Sequence, residues 1–215
     1  MEKHNEKVGA PKAQFSPPLL LAVFCVISGF AILVFVFFPI FWIELDYAAR
    51  SVQQTNSAKN ATASAILKPA STDFGIVIPK IHANAPVVKD VNAFDSREYQ
   101  QSLAKGIAHA EGTSTPDQAG NTFLFAHSAE NWLNANRYNA VFYLLYKLEK
   151  GDTFSVFYEG REYIYRIEEK RTVDAEDVEV MNSSPYARSV TLMTCWPPGT
   201  TFKRLIVVGS LQSVQ

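Results

Sequence analysis

Three side chains in this sequence can do chemistry together, and each stands at the end of an apolar run. Cys195 closes Thr191-Leu192-Met193-Thr194. Arg204 follows nine positions later and opens Leu205-Ile206-Val207-Val208. The intervening Trp196-Pro197-Pro198-Gly199-Thr200 has the composition of a turn, so two strands joined by a short loop are expected. A thiol attacks as the thiolate, and a neighbouring guanidinium favours that form and can receive developing negative charge. The third group is His127, at the end of Thr122-Phe123-Leu124-Phe125-Ala126 and followed by Ser128. Histidine is the commonest proton-transfer partner of a nucleophile. Strand ends at a sheet rim hold side chains still while leaving them open to substrate.

The remaining candidates carry weaker readings. Cys25 lies in a long apolar run far from Cys195, so no disulfide is expected, and Cys195 is either a reactive thiol or a small buried hydrophobe. His4 precedes that run, and His82 sits in the turn-like Lys80-Ile81-His82-Ala83-Asn84. His109 stands at another strand end, either as structure or as a support to the site. Thr194 and Trp196 flank the cysteine and, with His109, are the candidates for substrate contact; Thr194 reads equally well as a β-branched strand residue. Lys203 is a poor substitute for Arg204, because it lacks the planar fork that matches oxygen pairs. Glu176, Asp177 and Glu179 could line a groove or bind a cation such as calcium, but they lack the dense spacing of a calcium loop. No metal or cofactor is expected.

These groups need a scaffold, and the composition describes one. The 215 residues carry 20 basic and 21 acidic side chains, so no basic excess points to nucleic acid. Residues 1–18 are polar, with Lys3, Lys7 and Lys12, and read as a cytoplasmic tail. Residues 19–43 hold no charge and at about 1.5 Å per residue can span the ~30 Å core of a bilayer. The run exceeds the h-region of a cleaved signal peptide, and Phe41, Trp42 and Tyr47 suit an interface. A transmembrane signal anchor is expected, with the N-terminus in the cytoplasm. Residues 44–72 read as an extracytoplasmic linker and 73–215 as the catalytic domain. Within that domain, strands are expected at 74–79, 85–88, 106–109, 122–127, 189–195 and 203–211. A hairpin is expected over 152–168 around Glu159-Gly160. A short helix is expected from Ser96, with Asp95 as N-cap and Glu98 at N3, and a second over 138–148. Residues 174–187 read as a polar connection. Many short strands without βα alternation predict a mainly β, closed barrel.

Thr191-Leu192-Met193-Thr194-Cys195 with Arg204 resembles the signature of the sortases, cysteine transpeptidases that attach proteins to the envelope of mainly Gram-positive bacteria. Gly120 to His127 is similar to that family's histidine strand, with Ala126 where a glycine is common. Ile78-Pro79-Lys80-Ile81, Ala85-Pro86-Val87-Val88, Gly106-Ile107-Ala108-His109 and Leu148-Glu149-Lys150-Gly151-Asp152 follow in the family's order. The resemblance implies an eight-stranded barrel on a membrane anchor. It implies that Cys195 attacks a Leu-Pro-X-Thr-Gly-like sorting signal, that His127 moves the protons, and that Arg204 stabilises the oxyanion. The partners it implies are secreted proteins with a C-terminal sorting signal and an amine acceptor, either a peptidoglycan precursor or a pilin lysine. The short Cys-to-Arg spacing looks more like pilus-type and class D or E sortases than class A. The absence of an inhibitory lid motif and of a second apolar span favours a single-pass enzyme of cell-wall attachment. Two rivals remain: a membrane-tethered cysteine peptidase that passes the acyl group to water, and a catalytically silent barrel that binds envelope peptides.

Overall fold

The computed structural model describes residues 68–128, 141–182 and 184–215, together with parts of a helical stretch between residues 21 and 49. The chain divides into two units, Met1–Ala48 and Ala49–Gln215.

In the first unit the described residues are helical, and Leu21, Phe24, Val26, Ile27, Phe30, Ile32, Leu33 and Phe35 are exposed. Among the described residues no helix is long and apolar enough to cross a membrane. Residues 19, 20, 23, 36, 37, 39, 40, 42 and 43 of the expected span lie outside the described residues, as do residues 1–18 and 50–67.

The second unit is a closed barrel. Its strands are β1 (Phe74–Ile78), β2 (Ala83–Val91), β3 (Ile107–Ala110), β4 (Gly120–Phe125), β5 (Thr153–Tyr158), β6 (Arg161–Asp174), β7 (Arg188–Trp196) and β8 (Lys203–Val214). They neighbour one another in the order β1-β2-β3-β4-β7-β8-β6-β5, and β5 closes onto β1. Two contacts are parallel, β2 with β3 and β4 with β7; the rest are antiparallel. A parallel pair needs a crossover, and the helix Ser96–Leu103 supplies the one between β2 and β3. Asp95 caps it as expected, accepting from the backbone N–H groups of Arg97 and Glu98. The Glu98 carboxylate accepts from the N–H of Asn92, upstream of the cap, so the reciprocal half of the expected box is displaced.

Alternation along the strands sorts side chains into two sets. Leu124 pairs with Leu192, and Leu192 with Val207. Gly209, two positions on, lies against Phe154 and Tyr165, whose stacked rings have centroids 5.5 Å apart. A Cβ at Gly209 would fall 2.8 Å from the Phe154 ring, so only glycine fits there. This set fills the barrel. The opposite set includes Ala108, Phe123, Phe125, Ile206 and Val208, packed with Leu103 and Val180. A helix cannot lie inside the barrel, so this second core is on its outer face, beneath Ser96–Leu103 and the turn Glu179–Met181.

Some expectations need correction. The segment read as a helix over 138–148 is, where described, a short 3-10 turn, Tyr143–Lys147; residues 138–140 lie outside the described residues. Phe142, Tyr143, Leu144 and Leu145 are buried in succession, with Leu148 after them, and four consecutive buried residues do not follow the period of an amphipathic helix. The polar connection before β7 contains the turn Glu179–Met181, with Val180 buried. β6 and β8 run longer than their apolar cores because they pair with each other as far as Asp174 and Lys203, where the side chains form a 2.9 Å ion pair. The end of the expected linker is held on the barrel: Asn84 donates to the Lys68 carbonyl and accepts from the Ala70 N–H.

Candidate active site

Cys195 lies one residue before the end of β7, directly opposite Arg204 on β8. Residues so paired in an antiparallel ladder have Cα atoms about 5 Å apart and side chains on one face. That face is the outer one, because Cys195 follows Met193 by two, and Met193 packs against the outer core. Cys195 is partly exposed there.

His127 arrives from the other side of β7. The expectation placed it at the end of its strand; β4 stops at Phe125, two residues earlier. The parallel register nevertheless runs on. Phe125 neighbours Met193, the Ala126 N–H donates to the Met193 carbonyl at 3.2 Å, and the Thr194 hydroxyl donates to the Ala126 carbonyl at 2.9 Å. Alternation then turns His127 to the same face as Phe125, alongside Cys195. The ring contacts agree: Tyr99 stacks on Phe125 at 5.4 Å and meets His127 edge-on at 5.6 Å. The extension of β4 and the paired strands β7 and β8 thus offer His127, Cys195 and Arg204 on one face of the sheet, beside the helix Ser96–Leu103.

Arg204 is anchored by one nitrogen. Its Nη1 donates to the carbonyls of Thr201 and Lys203, both at 3.1 Å, which fixes the fork at the mouth of the β7–β8 loop. Among the described residues it forms no ion pair, whereas Lys203 is committed to Asp174. The loop is also held from the histidine side, where the Ser128 hydroxyl accepts from the Gly199 N–H at 3.3 Å.

The other candidates stand elsewhere. Thr194 is buried, points into the barrel, and spends its hydroxyl on Ala126. Trp196 also alternates away from Cys195 and packs on Tyr146, with centroids 5.6 Å apart. His109 neighbours Leu124 and is buried on the interior side against Phe74. Its Nε2 faces the Ser114 carbonyl at 3.2 Å, which can only accept, so Nε2 carries the proton. Its Nδ1 accepts from the Asp90 N–H at 3.3 Å and supports a bulge in which Asp90 is left-handed, with φ 54°. Burial pushes the His109 pKa down, against the opposing pull of the Ser114 carbonyl and the Asp90 carboxylate. His82 takes a left-handed turn conformation after Pro79–Ile81. Glu176, Asp177 and Glu179 are exposed, and among the described residues no group of three or more potential ligands could hold a metal ion.

Sequence reasoning missed Tyr99, Ser128 and Asn121. Tyr99 had a signal, since Tyr99 and Leu103 are four apart in an otherwise polar helix and so share a face. Asn121 is an amide in an apolar strand. It accepts from Ser189 and Thr191 and donates to the Met181 carbonyl, which ties the β6–β7 connection to the outer face. Ser128 carried no signal beyond its place next to His127.

A family model described as a sortase domain matches residues 76–212. The chain belongs to the sortase family. Sortase D of Bacillus subtilis is 30% identical over 175 residues, covering 77% of this chain and 80% of that protein. Among solved structures, the sortase A of Listeria monocytogenes superposes with a TM-score of 0.54 at 25% identity, over 66% of this chain and 88% of that one. The sortase E1 of Streptomyces coelicolor, solved with a tripeptide in its active site, shares the fold with a TM-score of 0.55 at 23% identity, over 69% and 93% of the two chains. Sortases are cysteine transpeptidases, so this sortase belongs to an enzyme family whose nucleophile is a thiol.

Proposed function

We propose that this sortase is a membrane-anchored transpeptidase that cleaves a Leu-Pro-X-Thr-Gly-like signal in secreted proteins and joins the threonine to an amine, with Cys195, His127 and Arg204 carrying the reaction. The Cys195 sulfur adds to the threonine carbonyl. Arg204 donates to the oxyanion that forms, using the fork positions not engaged with Thr201 and Lys203. His127 gives its proton to the departing glycine nitrogen, the C–N bond breaks, and a thioester remains on Cys195. An acceptor amine, from a peptidoglycan precursor or a pilin lysine, then loses its proton to His127 and displaces the thiolate. The histidine ends protonated as it began, and the cycle closes without a metal or cofactor. The observation that carries this reading is the direct pairing of Cys195 with Arg204, with His127 on the adjacent strand's extension.

The exposed apolar side chains of the helical stretch near the N-terminus support the membrane anchor, since a helix apolar all round needs an apolar surrounding. With the N-terminus in the cytoplasm the barrel works outside, where secreted proteins pass. A peptidase differs only in its acceptor, and a silent barrel would not need the thiol. The full chain in detergent, incubated with Leu-Pro-X-Thr-Gly-like peptides and triglycine, should form an acyl adduct on Cys195 by intact mass and an amine-joined product. Cleavage without joining would favour the peptidase. No adduct with any peptide, on a thiol that still alkylates, would overturn the transpeptidase reading.

A further inference from the structure

We infer that Tyr99 is a positioning residue for His127: its ring fixes the plane of the imidazole from the helix Ser96–Leu103, and this inference rests on the proton-transfer role proposed for His127. The need for such a device follows from the backbone. His127 is two residues past the last paired residue of β4, and the strand's own ladder does not reach it. Thr194 and Met193 hold Ala126, one residue before it. An imidazole that must reach both a leaving nitrogen and an incoming amine needs its plane set to within a few tens of degrees.

Tyr99 is built to set it. Its ring lies nearly parallel to Phe125, with an interplanar angle of 13°, and nearly perpendicular to His127, at 82°. One ring therefore couples the last strand residue, buried in the outer core, to the side chain beyond the strand. The helix that carries Tyr99 is fixed at both ends, by the Asp95 cap and by Leu103 in the outer core. Edge-on and offset-stacked contacts are the preferred geometries of aromatic rings, so together they bias the side-chain rotamer. The contact with His127 is made by the ring, and phenylalanine retains that ring.

The test is steady-state transpeptidation by the full chain in detergent, with rates counted per alkylatable Cys195 so that misfolded enzyme drops out. Tyr99→Phe should stay within about twofold of the parent. Tyr99→Leu should lose about tenfold or more in kcat with KM changed less than twofold. A merely structural role would lower the melting temperature and the active fraction but leave kcat per thiol intact. Tyr99→Met, which keeps more of the side-chain volume, serves as the second variant if Leu does not fold, with the same expectation. An unchanged kcat in Leu or Met, or a Phe variant as poor as Leu, overturns the inference. His127→Asn is measured alongside. If it turns over normally, the proposed role of His127 falls; if it is inactive while Tyr99→Leu is not, only the positioning role falls.

Discussion

Two histidines, one on β3 and one just past β4, have opposite fates in this barrel. His109 pairs across from Leu124, and His127 lies three positions beyond Leu124 on the same segment. An odd offset reverses the face. His109 therefore enters the barrel, where both ring nitrogens are used by backbone and hydroxyl groups. His127 turns outward, to the face of Cys195 and Arg204. Residue type is the same at the two positions, so parity across the sheet separates the interior role of His109 from the role proposed for His127.

The sharpest way to break the comparison is to make the same change at both sites. His127→Asn should lower kcat/KM about 10³-fold, the scale of general acid–base catalysis, and lower the melting temperature less than the same change at His109. His109→Asn should do the reverse. It strands partners of a buried ring, at a cost of about 1–3 kcal/mol, while kcat per folded molecule stays within about twofold. Turnover counted per alkylatable thiol, with urea unfolding beside it, reads both. Equal losses of turnover at the two positions would mean that face does not separate their roles.

Arg204→Lys sharpens the outer half. Lysine keeps the charge but cannot hold Thr201 and Lys203 with one nitrogen while presenting the others. A loss of about 10²-fold in kcat is expected, comparable to removing one oxyanion donor. A lysine variant within a few-fold of the parent would reduce the role of Arg204 to charge alone.

Much of this arrangement was legible in the sequence. The β5–β6 turn announced itself through Glu159-Gly160, whose φ angles of 48° and 78° are both left-handed. Asp95 marked the helix start, and the runs ending at Cys195 and starting at Arg204 marked the pair now seen in register. The illegible parts are those settled by distant segments. That β4 runs parallel to β7 and releases the chain before His127 depends on strands some seventy residues apart. The 3-10 turn Tyr143–Lys147 follows buried Phe142 and buries Tyr143, Leu144 and Leu145 in succession, which erases the period by which helix is read. Trp196 was grouped with Cys195 because it is adjacent, but adjacency in a strand means opposite faces.

Stability against pH tests the inner histidine through its burial. Burial holds the His109 pKa below its ordinary 6.5 in the fold, while the unfolded chain titrates near ~6.5. Below that pH the unfolded state binds a proton that the folded state refuses. The stability linked to His109 is therefore whole above pH ~6.5 and is lost as pH falls toward the folded value, with a slope of at most ~1.4 kcal/mol per pH unit. The Asp90 carboxylate, 3.3 Å from Nδ1, softens the loss, and Lys89 adds to it. The difference in urea midpoint between the parent and His109→Gln, taken at pH 7.5 and 5.5, isolates this contribution from other groups. A difference that does not change with pH would place His109 in a more solvated setting.

The smallest expected effect lies where the two faces meet. Thr194 points inward, yet its hydroxyl holds the Ala126 carbonyl, one residue before His127. Thr194→Val keeps the branched shape and removes that donor at a buried site, which costs about 1 kcal/mol. If the bond served only stability, kcat would not move. If it also fixes where the chain leaves β4, His127 shifts with Ala126, and kcat should fall several-fold at unchanged KM, since small misplacements of a proton-transfer group are costly. Thr194→Ser restores the hydroxyl and should recover most of the rate, while losing the packing of one methyl group. A valine variant with normal kcat and reduced stability would confine Thr194 to the interior half of the comparison, as a strand residue whose neighbour is the proposed nucleophile.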